Sequence, residues 1–253
     1  MYDLWLGGKH NFEVDRKFAA EVTKVCQLLP DLARHNRSFL WRAVRFCANQ
    51  GIRQFLDLGS GIPTVGNVHE AAHSVVPDYH VVYVDIDPIA VTISSDLLSD
   101  IPNAAAIKAD IREPGAILDH PVTQQLINFA EPVGLLMVSV LPFVSNRDRP
   151  AEMVARFRDR LSSGSYMAIS HGTIENTAPE IRSEAEAVVF LYGKTASPLT
   201  PRTRAGLAGF FAGMQIVEPG IAYVTEWRPE KPDAPDLTAP SRTLNYAAVG
   251  YKP

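Results

Sequence analysis

The sequence predicts an α/β protein built on a parallel sheet covered by helices on both faces. Three observations predict it. From residue 55 onward, short apolar segments alternate with longer amphipathic ones. Each short segment is apolar almost without interruption, the signature of strands buried on both faces. The first of them runs straight into a glycine-rich turn that opens a helix.

The elements follow in order. Residues 11–29 place Phe12, Val14, Phe18, Val22 and Val25 at gaps of two to four, which suits one helical face, with Pro30 expected to end the helix. A second helix is expected over 31–50, with Leu32, Phe39, Leu40, Val44 and Phe46 as its apolar positions and Gly51 as its stop. Strands are expected at 55–58, 80–85, 104–110, 133–140 and 166–170, and helices at 68–75, 88–98, 122–129 and 151–161. The rhythm then changes. A helix at 181–192 leads to a proline-rich break at 197–201, a helix ending near 211 and a strand at 214–217. A loop holding Pro219, Pro229, Pro232, Pro235 and Pro240 precedes a closing strand at 244–250. There is no internal repeat, and the whole of 1–253 is expected to form one domain.

Composition narrows the function classes. Hydrophobic residues make up 46% and charged residues 21%, with a formal net charge of −4. That balance offers no basic excess for a phosphate backbone, so no nucleic-acid partner is expected. No apolar run approaches the ~20 residues of a membrane span, and the N-terminus lacks the pattern of a signal peptide. Cys26 and Cys47 form no metal or redox motif, so two reduced, buried thiols in a cytoplasmic protein are expected.

The strongest chemical signal is a pair of features. Asp57-Leu58-Gly59-Ser60-Gly61 lies between a strand and a helix, where glycines let the backbone approach a ligand and the helix start offers free N–H groups. Asp85 ends the second strand, 24 residues past Gly61, where a carboxylate can accept both hydroxyls of a ribose. A dinucleotide fingerprint would place a third glycine where Thr64 stands. Asp57 would repel a pyrophosphate and attract the ammonium of an amino-acid ligand. The turn therefore points to S-adenosylmethionine on a Rossmann-like sheet, with an NAD-dependent oxidoreductase as the disfavoured alternative. Asp87-Pro88 fits a helix cap. Asp110 with Ile111 is either an adenine contact or a second cap.

With Asp57, Gly59, Gly61, Asp85 and Asp110 on successive strand ends, the chain resembles class I S-adenosylmethionine-dependent methyltransferases. More narrowly, it resembles the actinobacterial S-adenosyl methyltransferase family, once catalogued as a domain of unknown function. The stretches that carry this resemblance are Tyr2 to Phe12, Asn36 to Leu40, Phe55 to Thr64, Val82 to Pro88, Ser170-His171, Glu226 to Pro229 and Ala248 to Pro253. The resemblance implies about seven strands, mostly parallel with the last antiparallel, and a cofactor at the carboxyl ends of the first strands. It carries Gly59, Gly61, Asp85 and Asp110 over as cofactor contacts, with Ser60, Ile86, Ile111 and Ser139 expected beside them. It further implies that residues 1–52 form a helical lid segment over a core at 53–253, with Tyr2, Gly8 and Asn11 reaching the cofactor. S-adenosylhomocysteine would be the product. Family members usually carry a short lead-in before Tyr2, so an incomplete lid is expected. Where the family has a histidine after the fourth strand, this chain has Leu141-Pro142-Phe143, so no acid–base role is expected there.

His171, just past the fifth strand, is the candidate general base, with a structural hydrogen-bonded histidine as the alternative. His69-Glu70-Ala71-Ala72-His73 matches a zinc-peptidase motif literally, but it sits on the helix after the glycine turn, and no metal is expected. Lys9, His10 and Arg37 are polar residues near the lid. Tyr192, Arg202, Arg204 and Trp227 are candidate walls of an acceptor pocket. The sequence reading is thus a methyltransferase for a small-molecule acceptor, with a non-catalytic S-adenosylmethionine-binding sensor as the rival. The oligomeric state is not set by the sequence.

Overall fold

A computed structural model describes residues 1–63, 66–231 and 234–253. Thr64 and Pro232, both singled out above, lie outside the described residues. Among the described residues one sheet contains eight strands: β1 (Gln54–Leu58), β2 (His80–Asp85), β3 (Ala104–Lys108), β4 (Gly134–Val138), β5 (Tyr166–Gly172), β6 (Gln215–Ile216), β7 (Ala222–Tyr223) and β8 (Asn245–Tyr251). Their order is β3-β2-β1-β4-β5-β8-β6, with β7 also paired to β8. Strands β1 to β5 run parallel, and β8 is antiparallel to β5, β6 and β7. The order reverses direction between β1 and β4. In open α/β sheets, ligands bind outside the carboxyl ends of the strands at such a switch point.

The helices are α1 (Tyr2–Trp5), α2 (Glu13–Val25), α3 (Leu29–Asn49), α4 (Val68–His73), α5 (Pro88–Leu97), α6 (Pro114–Leu118), α7 (Pro121–Leu126), α8 (Pro150–Arg160), α9 (Pro179–Tyr192) and α10 (Arg204–Phe210). On one face, Phe39, Val44 and Cys47 of α3 and Ala71 of α4 pack with Phe55, Val81 and Ala168 of the sheet. On the other, Ile117, Phe157 and Phe210 from α6, α8 and α10 pack with Leu56, Val82 and Ile169. A third cluster joins Val22 and Cys26 to Val188 and Tyr192 of α9, with Trp5 and Phe18 against it.

Four sequence expectations change. Pro30 does not end α2, which stops at Val25; it sits in the first turn of α3. The first-turn N–H of a helix has no intrahelical partner, so a proline there costs nothing. Pro114 and Pro121 likewise open two short helices, α6 and α7, where one helix at 122–129 is expected. The boundary at residue 52 does not separate lid from core, because α3 is itself a layer of the core. Finally, the edge strand near 214–217 is taken up again at β7, so that β6 and β7 share one edge of β8.

Side chains alternate across a strand, and this sorts the site. Phe55 and Asp57 of β1 turn to the α3 face, whereas Leu56 and Leu58 turn to the α8 face. In β5, Tyr166 and Ala168 share the α3 face with Ser170, which bonds to Asn36 of α3. Met167 and Ile169 point to the opposite face, as does His171, whose ring stacks on Phe210 at 6.3 Å. Among the described residues no helix is long and apolar enough to cross a membrane.

Candidate functional site

The turn after β1 is fixed by its own backbone. The N–H groups of Gly59 and Ser60 both donate to the carbonyl of Val84 in β2, at 2.8 and 3.1 Å. Gly59 has φ 70° and Gly61 φ 61°, in the left-handed region that glycine enters freely. A Cβ on Gly59 would lie 2.1 Å from Cγ2 of Val140, so the position is closed sterically as well. Gly61 donates its N–H to Oδ2 of Asp85 at 2.7 Å, and Asp87 donates to Oδ1 at 2.9 Å. Both oxygens are thereby oriented, and each keeps a lone pair for a ligand hydroxyl. Burial pushes the Asp85 carboxyl up, and these backbone bonds oppose it. Asp87 itself caps α5 through Ile89 N–H at 2.9 Å.

Asp57 is buried, at 4% exposed. Loss of hydration is the main reason that its pKa is pushed up to about 7; Arg37 opposes the shift and Asp85 adds to it. Arg37 projects from α3 with its guanidinium 5.6 Å from the Tyr2 ring centre. Its Nε is buried without a hydrogen-bond partner among the described residues. The neighbouring Asn36 donates to the Tyr2 hydroxyl at 2.9 Å and accepts from Ser170 Oγ, while Tyr2 donates to the Ala33 carbonyl at 3.0 Å. These bonds join α1, α3 and β5 around one wall of the site.

A cavity of about 520 Å³ opens above the carboxyl ends of β1, β4 and β5. It brings together Tyr2, Asp57, Gly59, Ser60 and Ser139 of the sequence-predicted residues. Ser139 holds φ 61°, a left-handed conformation costly for a residue with a Cβ, and its N–H donates to the Ser170 carbonyl at 3.2 Å. Asn36, Arg37 and Asn245 also line the cavity. The sequence reading left Asn36 and Asn245 out of the site and gave Arg37 as a polar residue near the lid. The signal for the α3 pair was present: polar residues standing between Leu32 and Leu40 on a helix with a buried apolar face.

Other expected site residues lie elsewhere. Ile86 is exposed beside Asp85, and Ile111 belongs to the core with Ile107 and Ile117. Asp110 takes the capping geometry, accepting the Arg112 N–H at 2.9 Å and pairing with its guanidinium, which holds the carboxyl below its usual range. Gly8 and Asn11 do not line the cavity. Asn11 Nδ2 donates to the Gly8 carbonyl at 3.0 Å and to Asp3 Oδ2 at 3.1 Å, closing the link between α1 and α2.

His171 is not placed to take a proton from an acceptor in the cavity. The alternation of β5 turns it to the far face, where it is 1% exposed. Its Nδ1 lies 2.9 Å from the Gly172 carbonyl, and Arg202 Nη1 lies 2.7 Å from its Nε2. Burial, followed by the Arg202 charge, lowers its pKa to about 4. The zinc-like motif on α4 is also engaged internally. His69 Nδ1 lies 2.7 Å from the Tyr83 hydroxyl, and Glu70 accepts the Asn67 N–H at 3.0 Å. Among the described residues no group of three or more His, Cys, Asp or Glu is arranged to hold a metal ion. Trp227 is fully buried against Phe39 and Phe46, a packing aromatic rather than a pocket wall.

Sheet order, reversed β8, and the turn facing an acid at the end of β2 define a Rossmann-like methyltransferase of the class that uses S-adenosylmethionine. The chain belongs to the S-adenosyl methyltransferase family, whose profile matches residues 1–253. It is similar to the crystal structure of a protein from Thermobifida fusca YX assigned as a methyltransferase. The two are 39% identical over 99% of this chain and 92% of that one, with a TM-score of 0.92. A DUF574 family protein from Streptomyces avermitilis is also 39% identical, over 100% of this chain and 95% of the other, with a TM-score of 0.92. The N-methyltransferase NodS of Bradyrhizobium japonicum shares the fold alone, with 11% identity over 88% of this chain and 97% of its own and a TM-score of 0.54. No curated protein matches the chain.

Proposed function

We propose that this protein transfers a methyl group from S-adenosylmethionine to a small molecule held in the cavity beside the Gly59–Gly61 turn. The observation that carries the reading is that Arg37 and Asp57 both line that cavity, close enough for the guanidinium charge to act on the carboxyl. A cation with a buried, unpartnered N–H and a carboxyl that burial holds near pKa 7 match the two ends of an amino-acid zwitterion. Arg37 would hold the carboxylate of the methionine half and Asp57 its ammonium. Asp85 would hold the ribose hydroxyls through its free lone pairs. The bound cofactor supplies an electrophilic methyl group on a sulfonium sulfur.

The chain's own contribution is orientation and exclusion of water. The turn is pinned to β2 by Val84, and Asp85 is pinned to the turn by Gly61. The relay of Ser170, Asn36 and Tyr2 holds α1 against the same wall. No histidine lines the cavity among the described residues. Positioning of the reacting groups is therefore the catalytic device, and such positioning alone removes several kcal/mol of barrier, roughly 7–11 in well-oriented intramolecular systems. We also infer a cytoplasmic location, supported by the two free, buried thiols of Cys26 and Cys47.

Calorimetric titration with S-adenosylmethionine and with NAD tests the cofactor assignment. Micromolar binding of the first and none of the second is expected; the reverse would overturn it. Release of S-adenosylhomocysteine in the presence of a small-molecule library distinguishes an enzyme from a cofactor-binding sensor.

A further inference from the structure

The sheet order divides the cofactor from its acceptor. Asp85 and Asp110 stand at and just beyond the ends of β2 and β3, on one side of β1. The cavity runs the other way, over β4 and β5, and its far wall is built from Phe18, Phe143, Ile174, Val188, Tyr192 and Leu199. Tyr192 is the centre of that wall: the ring centres of Phe18 and Phe143 lie 5.4 and 6.0 Å from its own. Among the described lining residues the only charged side chains are Arg37 and Asp57, both at the cofactor end. The polar groups nearest the ends of β4 and β5 are Ser139, Thr173 and Asn245, all uncharged.

A charged acceptor entering this chamber would lose its hydration and meet no counter-charge, which disfavours it. A neutral ring system would lose only ordered water and gain contact with three aromatic faces. One hydroxyl, amine or amide on that ring would find Ser139 or Asn245 beside it.

We propose that the methyl acceptor is an uncharged, largely apolar ring compound, seated over β4 and β5 against Tyr192 with its single polar group turned to Ser139 and Asn245. The proposal rests on the methyltransferase reading and narrows it to a substrate class. Carboxylates, phosphorylated metabolites and permanently cationic amines are excluded by the same wall that admits the neutral ring.

The test uses the full chain saturated with S-adenosylhomocysteine and three probes of one size: neutral 2-naphthol, anionic 2-naphthoate and cationic N-methylquinolinium. Calorimetry or saturation-transfer NMR reads their binding. 2-Naphthol is expected to bind at least tenfold more tightly than either ion. Val188→Arg is expected to weaken it more than tenfold, with S-adenosylhomocysteine affinity kept within about twofold. Because Val188 is buried, Leu199→Arg at the half-buried rim serves as a second variant, and thermal melting of each complex checks its fold. Equal or tighter binding of either ion overturns the proposal. So does failure of 2-naphthol to bind a chain that holds S-adenosylhomocysteine, or naphthol binding that ignores both folded variants. A chain that does not bind S-adenosylhomocysteine at all overturns the underlying methyltransferase reading instead.

Discussion

Arg202 donates an N–H to Nε2 of His171 at 2.7 Å, and this bond decides what the histidine can do. The same guanidinium bonds the carbonyls of Leu141 and Val144, at 3.1 and 3.0 Å, and Oδ1 of Asn146 at 2.9 Å. It therefore ties the segment after β4 to the end of β5. Arg202→Met removes those bonds, and a loss of about 2–4 kcal/mol is expected, seen as a fall in melting temperature of roughly 5–15 °C.

His171 also predicts a pH dependence. Its folded pKa of about 4 lies below the ordinary value of 6.5. The unfolded chain therefore binds the proton first as pH falls. The contribution of His171 to stability is complete above about 6.5 and declines between there and about 4. Denaturation followed across that window should show this slope, and His171→Gln should remove its share. An unchanged slope in the variant would mean that the histidine is not buried neutral.

Asp57 gives the opposite sign. Its folded pKa of about 7 exceeds the ordinary 3.8, so the apo protein loses stability as pH rises from about 4 to 7. Binding of an ammonium beside it requires the ionised form. S-adenosylmethionine affinity should thus fall about tenfold per pH unit below pH 7, with proton release near neutrality. Titrations in buffers of different ionisation enthalpy measure that release. Asp57→Asn should abolish it and stabilise the apo chain at pH 8.

Gly59→Ala should weaken S-adenosylmethionine binding and stability together. The left-handed backbone costs a side-chain-bearing residue roughly 1–2 kcal/mol, and the added methyl collides with Val140. Adding Val140→Ala should restore part of the stability, because it removes the collision and leaves the backbone cost.

Arg37→Met should weaken S-adenosylmethionine binding by roughly ten- to a hundredfold, the value of a hydrogen bond between charged groups. Arg37→Lys should recover part of it. If the methionine variant binds as the parent does, the cofactor carboxylate has another partner.

The fold was legible because strands buried on both faces leave continuous apolar runs, as at Val81–Val84, and because Asp87-Pro88 marks a helix start chemically. A proline misled where a stop was expected of it: Pro30 lies in the first turn of α3. The glycine turn and Asp85 were readable from spacing, since both sit on neighbouring strand ends. Asn245 was not, because β8 reaches the cavity from the far end of the chain and no local pattern encodes that meeting; Asn36 and Arg37 left only the polar break they make on the apolar face of α3. His171 lies off the cavity for a simpler reason. One residue along a strand changes its face, and the strand's phase decides whether Ser170 or His171 sees the cavity.

The paired edge of β8 has a consequence for the molecule in company. Between Val217, whose N–H still reaches the Val249 carbonyl at 2.9 Å, and Ala222 the outermost strand departs from the ladder, and Pro219 within that gap has no N–H to offer. A neighbouring chain would find two stubs of two residues each rather than a continuous row of donors and acceptors. The break thus guards this edge of the sheet against strand-to-strand association, and restoring a regular, proline-free strand through 217–221 should turn that border into a template for aggregation.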